Sequence, residues 1–285
     1  MTHLITGATG NIGGRVVEGL VARGERPRVF VRDAARARAR FGERVDIAVG
    51  DLADPKSLAD ALAGAETLFL VNSGPQLGER DATAAQAARA AGVTRLVKLS
   101  SLGARASGES TAVALWHARG EAAIRACGVP FTFIQSVGFM TNVLAWARSI
   151  KGEGLVRAST GEGRIAMIHP DDIAAVAVEA LTTDAYRGQA LAITGPEALT
   201  YAQMVAKIGA AVGRPLRFEA IGDEEALQNL LRAGLPGDLA EALVTLWREV
   251  RERRVEVVTD DVERVTGRKP VTFDAWTRDN AQAFR

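Results

Sequence analysis

Three glycines near the N-terminus, Gly7, Gly10 and Gly13, lie between a short β-rich run, Leu4-Ile5-Thr6, and a stretch carrying Ile12, Val16, Val17, Leu20 and Val21 at helical spacing. A glycine triplet alone says little. Between a strand and the helix that follows it, the spacing meets three steric demands: a tight turn, close approach of backbone to a diphosphate, and close packing of helix on strand. The helix start adds N–H groups and the positive end of a dipole, which attract an anion. The pattern predicts a pyrophosphate-binding loop made of Gly7, Thr9, Gly10, Asn11, Ile12 and Gly13. The alternative is a tight turn with no ligand.

The alternation continues through the first half of the chain. Strand-like runs over residues 28–31, 45–49, 67–71, 95–99 and 131–134 are separated by helical stretches, among them 58–62 after Asp54-Pro55, the alanine-rich 82–91, and a helix around 117–126. Such alternation implies an α/β protein with a doubly wound parallel sheet, a Rossmann arrangement with helices on both faces. Past Gln135 the pattern loosens into a helical stretch opening at Phe139, a strand over 164–168, a helix over 171–181 and a short strand over 190–193. We expect a dinucleotide-binding domain over residues 1–135. Residues 136–285 should form a smaller, mainly helical substrate-side part, some elements of which return to the main sheet.

Charge narrows the partners. Thirty-five Lys plus Arg against 34 Asp plus Glu leave a formal charge of +1, so no global field gathers nucleic acid or an anionic membrane. The basic runs 36–40 and 248–254 read as solvated helix faces. A small-molecule partner is expected, and a homo-oligomer is compatible with the sequence. No run of 18 apolar residues and no signal-peptide pattern is present, which predicts a cytoplasmic location. Cys127 is the only cysteine and His3, His117 and His169 are scattered, so no metal site is expected.

Cofactor choice turns on the end of the second strand. An NAD-preferring loop places an acidic residue there to hold the ribose 2′-hydroxyl. The first residue after Val29-Phe30-Val31 is Arg32, whose guanidinium suits a 2′-phosphate and predicts NADP(H) over NAD(H). Asp33 is the complication, because a one-residue shift of the strand end would put a carboxylate in that place.

The chain resembles the NmrA-like group of atypical short-chain dehydrogenase/reductases, which includes quinone- and azo-reductases. The resemblance is carried by Thr6-Gly7-Ala8-Thr9-Gly10-Asn11-Ile12-Gly13, Val31-Arg32-Asp33, Gly50-Asp51-Leu52, Leu99-Ser100-Ser101-Leu102-Gly103-Ala104, His117-x-x-x-Glu121, Val137-Gly138-Phe139-Met140-x-Asn142, and Thr266-Gly267-Arg268-Lys269-Pro270-Val271-Thr272-Phe273. It implies that Asp51 and Leu52 border the adenine, that Asn72, Ser73 and Gly74 pass beside the ribose and pyrophosphate, and that Ser136 to Phe139, with Val137 and Gly138 among them, flank the nicotinamide. Asp51 as a turn cap and Asn72 to Gly74 as an ordinary loop are the plain alternatives.

The Tyr-x-x-x-Lys pair of the wider superfamily is absent; Tyr186 and Tyr201 are the only tyrosines and neither has lysine four positions on. In its place His117 and Glu121 stand one helical turn apart. Either the carboxylate orients the imidazole and raises its pKa, giving a general acid, or the two make a packing contact only. Ser101 is either an acceptor-binding hydroxyl or a turn residue. Trp116, Phe139, Met140 and Asn142, with Trp146 and Trp247, are candidates to line an acceptor pocket, or plain core. His169-Pro170-Asp171-Asp172 reads as a helix start rather than a second catalytic set. Two functions fit: an NADPH-dependent reductase of a quinonoid or other conjugated acceptor, and a non-enzymatic NADP sensor that would act on a protein partner.

Overall fold

A computed structural model describes residues 1–105 and 111–285. The first stretch runs β1 (His3–Thr6), α1 (Asn11–Ala22), β2 (Arg28–Val31), α2 (Ala34–Phe41), β3 (Asp46–Val49), α3 (Pro55–Leu62), β4 (Thr67–Leu70), α4 (Leu77–Ala90), β5 (Arg95–Ser101), α5 (Ala112–Cys127) and β6 (Phe131–Ser136). Next come α6 (Ala147–Glu153), β7 (Leu155–Ala158), β8 (Arg164–Ile165), α7 (Pro170–Thr182) and β9 (Ala190–Ile193). The chain ends through β10 (Leu199–Thr200), α8 (Tyr201–Val212), β11 (Arg217–Ala220), α9 (Asp223–Arg232), α10 (Gly237–Arg251), α11 (Asp261–Thr266) and α12 (Phe273–Asp279).

Two compact units result. The first comprises Met1–Ser136, Pro170–Ile193 and Arg264–Gly267; the second comprises Val137–His169, Thr194–Glu263 and Arg268–Arg285. The first unit holds a parallel seven-stranded sheet in the order β3-β2-β1-β4-β5-β6-β9. Strand order reverses between β1 and β4, and in open α/β sheets the crevice at such a reversal receives the ligand. Both strands there are wholly buried, as a sheet covered on two faces requires, whereas the edge strand β3 is partly exposed.

Local chemistry explains the helix boundaries. Asp33 caps α2 by accepting from Arg36 N, Asp54 caps α3 ahead of Pro55, and Thr111 caps α5, which ends on left-handed Gly128. Alanines 84, 85 and 88 bury the inner face of α4 against a cluster that includes Leu68, Leu96 and Ile124. Small residues also let α4 and α5 close on each other: a Cβ on Gly78 would lie 3.0 Å from Arg119 Cβ, and one on Gly120 would overlap the Asp81 carboxylate.

The second unit packs Met140, Tyr201, Met204, Trp247 and Trp276 into its own core. It is mainly helical, as expected, and also carries two small sheets, parallel β7 with β11 and antiparallel β8 with β10. The run 164–168, expected as one strand, is divided because its backbone partners change along it. Arg164 and Ile165 pair with β10, Ala166 O accepts from Gly195 N, and Ile168 exchanges backbone bonds with Gly138 and Met140. The helical stretch expected from Phe139 begins as a 3-10 turn, Met140–Trp146, before α6.

Gly120→Ala tests the closeness of α4 and α5. We expect the overpacked methyl to lower unfolding free energy by about 1–3 kcal/mol, read from urea midpoints. An unchanged midpoint would mean that the helices have slack.

Candidate functional site

The glycine loop is built as its spacing requires. Gly7 has φ +61°, a left-handed conformation that disfavours a side chain, and a Cβ there would sit 3.2 Å from Val71 Cβ. Gly10 N donates to Gly7 O at 2.9 Å, and a Cβ on Gly10 would lie 3.1 Å from that same oxygen. At Gly13 a Cβ would overlap the Gly7 carbonyl outright, so only glycine lets α1 start this close to β1. Gly10 is also the N-cap of α1 and supplies no side-chain acceptor to the first-turn N–H groups. Thr6 braces the loop from below: its hydroxyl accepts from Val71 N at 2.7 Å and thus ties the end of β1 to the end of β4. Asn11 and Ile12 form the first turn; the Asn11 side-chain oxygen accepts from Arg15, which also pairs with Asp171 on α7.

A cleft of about 420 Å³ opens above the carboxyl ends of β1, β2 and β4. Gly7, Thr9, Arg32, Asp51, Leu52, Asn72 and Ser73 all line it. Arg32 is the first residue beyond β2 and is exposed, while the neighbouring carboxylate of Asp33 is consumed as the cap of α2, accepting from Arg36 N at 3.0 Å. The strand ends where the NADP reading needs it to end. Asp51 lines the cleft, and one of its carboxylate oxygens accepts from Ala53 N at 2.8 Å, the turn role considered for it. Asn72 Oδ1 accepts from Ser73 N, and Gly74 turns the chain with φ +92°. Arg80, on the first turn of α4, is a lining residue that the sequence reading missed; nothing in its local pattern separates it from the chain's other arginines, and only the register of α4 brings it to the cleft.

Beyond the cleft, α4, β5 and α5 enclose a polar network. Lys98 and Asp81 are both fully buried and form an ion pair at 2.6 Å. Lys98 Nζ is also 3.3 Å from Leu99 O and 3.4 Å from His117 Nδ1, while Asn72 Nδ2 reaches Asp81 Oδ1 at 3.4 Å. Burial pushes the Asp81 carboxyl above the ordinary range, opposed by Lys98. Burial, with the Lys98 charge beside it, lowers His117 to about 3.

These contacts correct the expectation for His117 and Glu121. Glu121 does not orient the imidazole: its Oε1 accepts from Ser100 at 2.6 Å and Gln135 at 2.8 Å, and its Oε2 accepts from Arg125 at 3.0 Å. The carboxylate therefore ties the ends of β5 and β6 to α5, with Arg105 bonded in turn to Gln135. Without a carboxylate beside it, His117 is held neutral, the reverse of the raised pKa that the general-acid alternative required. Ser101 Oγ accepts from Gly103 N at 3.2 Å, the turn role considered for it.

Among the pocket candidates, Trp116 stands half-buried on α5. Met140 and Trp247 are core residues of the second unit, 1% and 8% exposed, and Trp146 packs against the same cluster, so Met140 does not present itself to a pocket. Phe139 is half-buried and Asn142 exposed. Val137 packs on that core, and Gly138 O accepts from Ile168 N at 3.0 Å. Tyr201 is buried beside Trp146 and its hydroxyl is pushed up to about 12 by desolvation.

The profile of the NmrA-like family matches residues 2–277. A (4-alkanoyl-5-oxo-2,5-dihydrofuran-3-yl)methyl phosphate reductase of Streptomyces griseus is 38% identical over 281 residues, 99% of this chain and 98% of that protein. An NAD(P)H azoreductase of Xenophilus azovorans is 37% identical over 283 residues, again 99% and 98%. The structure of an NADPH-dependent quinone oxidoreductase of Escherichia coli in complex with NADPH superposes with a TM-score of 0.90 at 25% identity, covering 98% of this chain and 99% of that one.

The buried imidazole has a consequence for stability. Above about pH 6.5 His117 is neutral folded or unfolded; between 6.5 and about 3 the unfolded chain binds a proton that the folded chain refuses, so stability falls as pH falls. The expected contribution is at most about 1.4 kcal/mol per pH unit in that window. In His117→Gln the slope of unfolding free energy against pH should be shallower by that amount. Parallel slopes for the two proteins would show that His117 is not held neutral.

Proposed function

The chain belongs to the NmrA-like family, and we propose that it is an NADPH-dependent reductase that passes a hydride to a small conjugated acceptor of the quinone or azo type. The observation that carries the reading is the pairing, in one cleft, of a glycine cradle that a Cβ would fill and an arginine at the end of β2 whose acidic neighbour is already used as a helix cap. Relatives named for azo, quinone and dihydrofuranone reduction support the reaction class.

In this reading Gly7 to Gly13 and the start of α1 hold the diphosphate, Arg32 takes the 2′-phosphate in the bidentate manner of a guanidinium, and Asp51, Leu52 and the Asn72 to Gly74 turn border the adenosine side. Val137 and Gly138 are assigned to the nicotinamide side. When bound, the dinucleotide supplies the hydride. An electron-poor acceptor then needs little acid from the protein, because the reduced oxygen or nitrogen takes its proton from water. That explains why the site does without a tyrosine and lysine pair, and why a neutral His117 suffices as a hydrogen-bonding group.

Purified protein should accelerate NADPH oxidation with at least one member of a panel of quinones, azo dyes and enones. Tight NADPH binding with no turnover on any acceptor would contradict the proposal and favour a sensor. Arg32→Ala should weaken NADP at least about tenfold, as expected for loss of a charge-assisted pair, and leave NAD affinity unchanged. An unaltered preference in a fluorescence titration would remove Arg32 from the 2′-phosphate.

A further inference from the structure

Lys98 is the one fully buried lysine among the described residues, and the reductase reading leaves it without a role. An ammonium has three N–H donors and no acceptor. Its described neighbours at hydrogen-bonding range are Asp81 Oδ2, Leu99 O and His117 Nδ1. Since Lys98 can only donate, the Nδ1 that faces it must be the acceptor, and in a neutral imidazole the hydrogen then resides on Nε2. Asp81 fixes the ammonium in turn. It accepts from Asn72 on the cofactor-cleft side, and the missing side chain of Gly120 leaves room for its carboxylate, which a Cβ there would displace.

We propose that Lys98 and Asp81 are positioning residues that fix His117 as its Nε2–H tautomer, so that it offers an acceptor a neutral hydrogen-bond donor. This rests on the reductase reading for its catalytic part only; the tautomer follows from the contacts alone. Burial and the adjacent ammonium both disfavour the imidazolium, consistent with His117 lowered to about 3. The group polarises an acceptor oxygen or nitrogen without transferring a proton. Removing the donor role altogether would resemble the loss of one oxyanion-hole donor.

The test is the nitrogen NMR spectrum of protein labelled with 15N-histidine, where His117 is identified among three histidines by its loss in His117→Gln. Wild type should show an unprotonated Nδ1 and a protonated Nε2 throughout the neutral range. The double variant Asp81→Asn, Lys98→Met removes both charges at similar volume, which avoids leaving one buried ion unpaired. It should lose the tautomer bias and reduce kcat about tenfold or more, toward the loss seen when an oxyanion donor is removed, with NADPH affinity unchanged. An Nδ1–H His117 in wild type overturns the proposal whether or not the double variant folds. An unchanged tautomer or unchanged kcat in a folded double variant overturns it too. Absence of turnover in wild type would instead defeat the reductase reading, leaving the spectrum to decide the role of Lys98.

Discussion

The start of α1 lies so close to the end of β1 that the Gly13 backbone meets the Gly7 carbonyl where any side chain would intrude. Much else in the first unit follows from that approach. It sets the helix N-terminus at the carboxyl edge of the sheet, and the Thr6 hydroxyl carries the same alignment across to β4 through Val71. The cleft then forms at the one place where the strand order reverses, with its walls supplied by whatever follows β2, β3 and β4. Arg32, Asp51 and Asn72 are such residues: each is the first or second beyond a strand end.

Polar side chains behind the cleft do structural work that an apolar core would not do. Glu121 gathers Ser100, Gln135 and Arg125 and so fixes two strand ends to one helix. Lys98 and Asp81 are costly to bury, and a buried pair of this kind is weak support for stability. Its geometry is informative instead: the pair spans from the Asn72 side of the cleft to His117 on α5. His117 is thereby an ordered polar group on α5.

The sheet and the loop were legible because both rest on local rules, the alternation of apolar runs and the tolerance of glycine for positive φ and close contact. The end of β2 stayed open by one residue in the sequence, and the capping of α2 by Asp33 is what fixes it at Val31. What escaped sequence reasoning depends on side chains meeting across elements. The partners of Glu121 lie on β5, β6 and α5, so a spacing of four residues pointed to His117 when the carboxylate turns the other way. Lys98 reads as one polar residue within a strand, Arg80 as one arginine among many, and Met140 as a pocket residue when it is core. The short strands β7, β10 and β11, of two to four residues, escaped the sequence pattern, while β8 keeps only two of the five residues expected as one strand.

A crystal structure of the chain with NADP bound addresses the central claim most directly. The account predicts the diphosphate on the N–H groups at the start of α1, the 2′-phosphate on the Arg32 guanidinium, and Asp33 still capping α2. A 2′-phosphate that points away from Arg32, or a diphosphate away from Gly7 to Gly13, would contradict it.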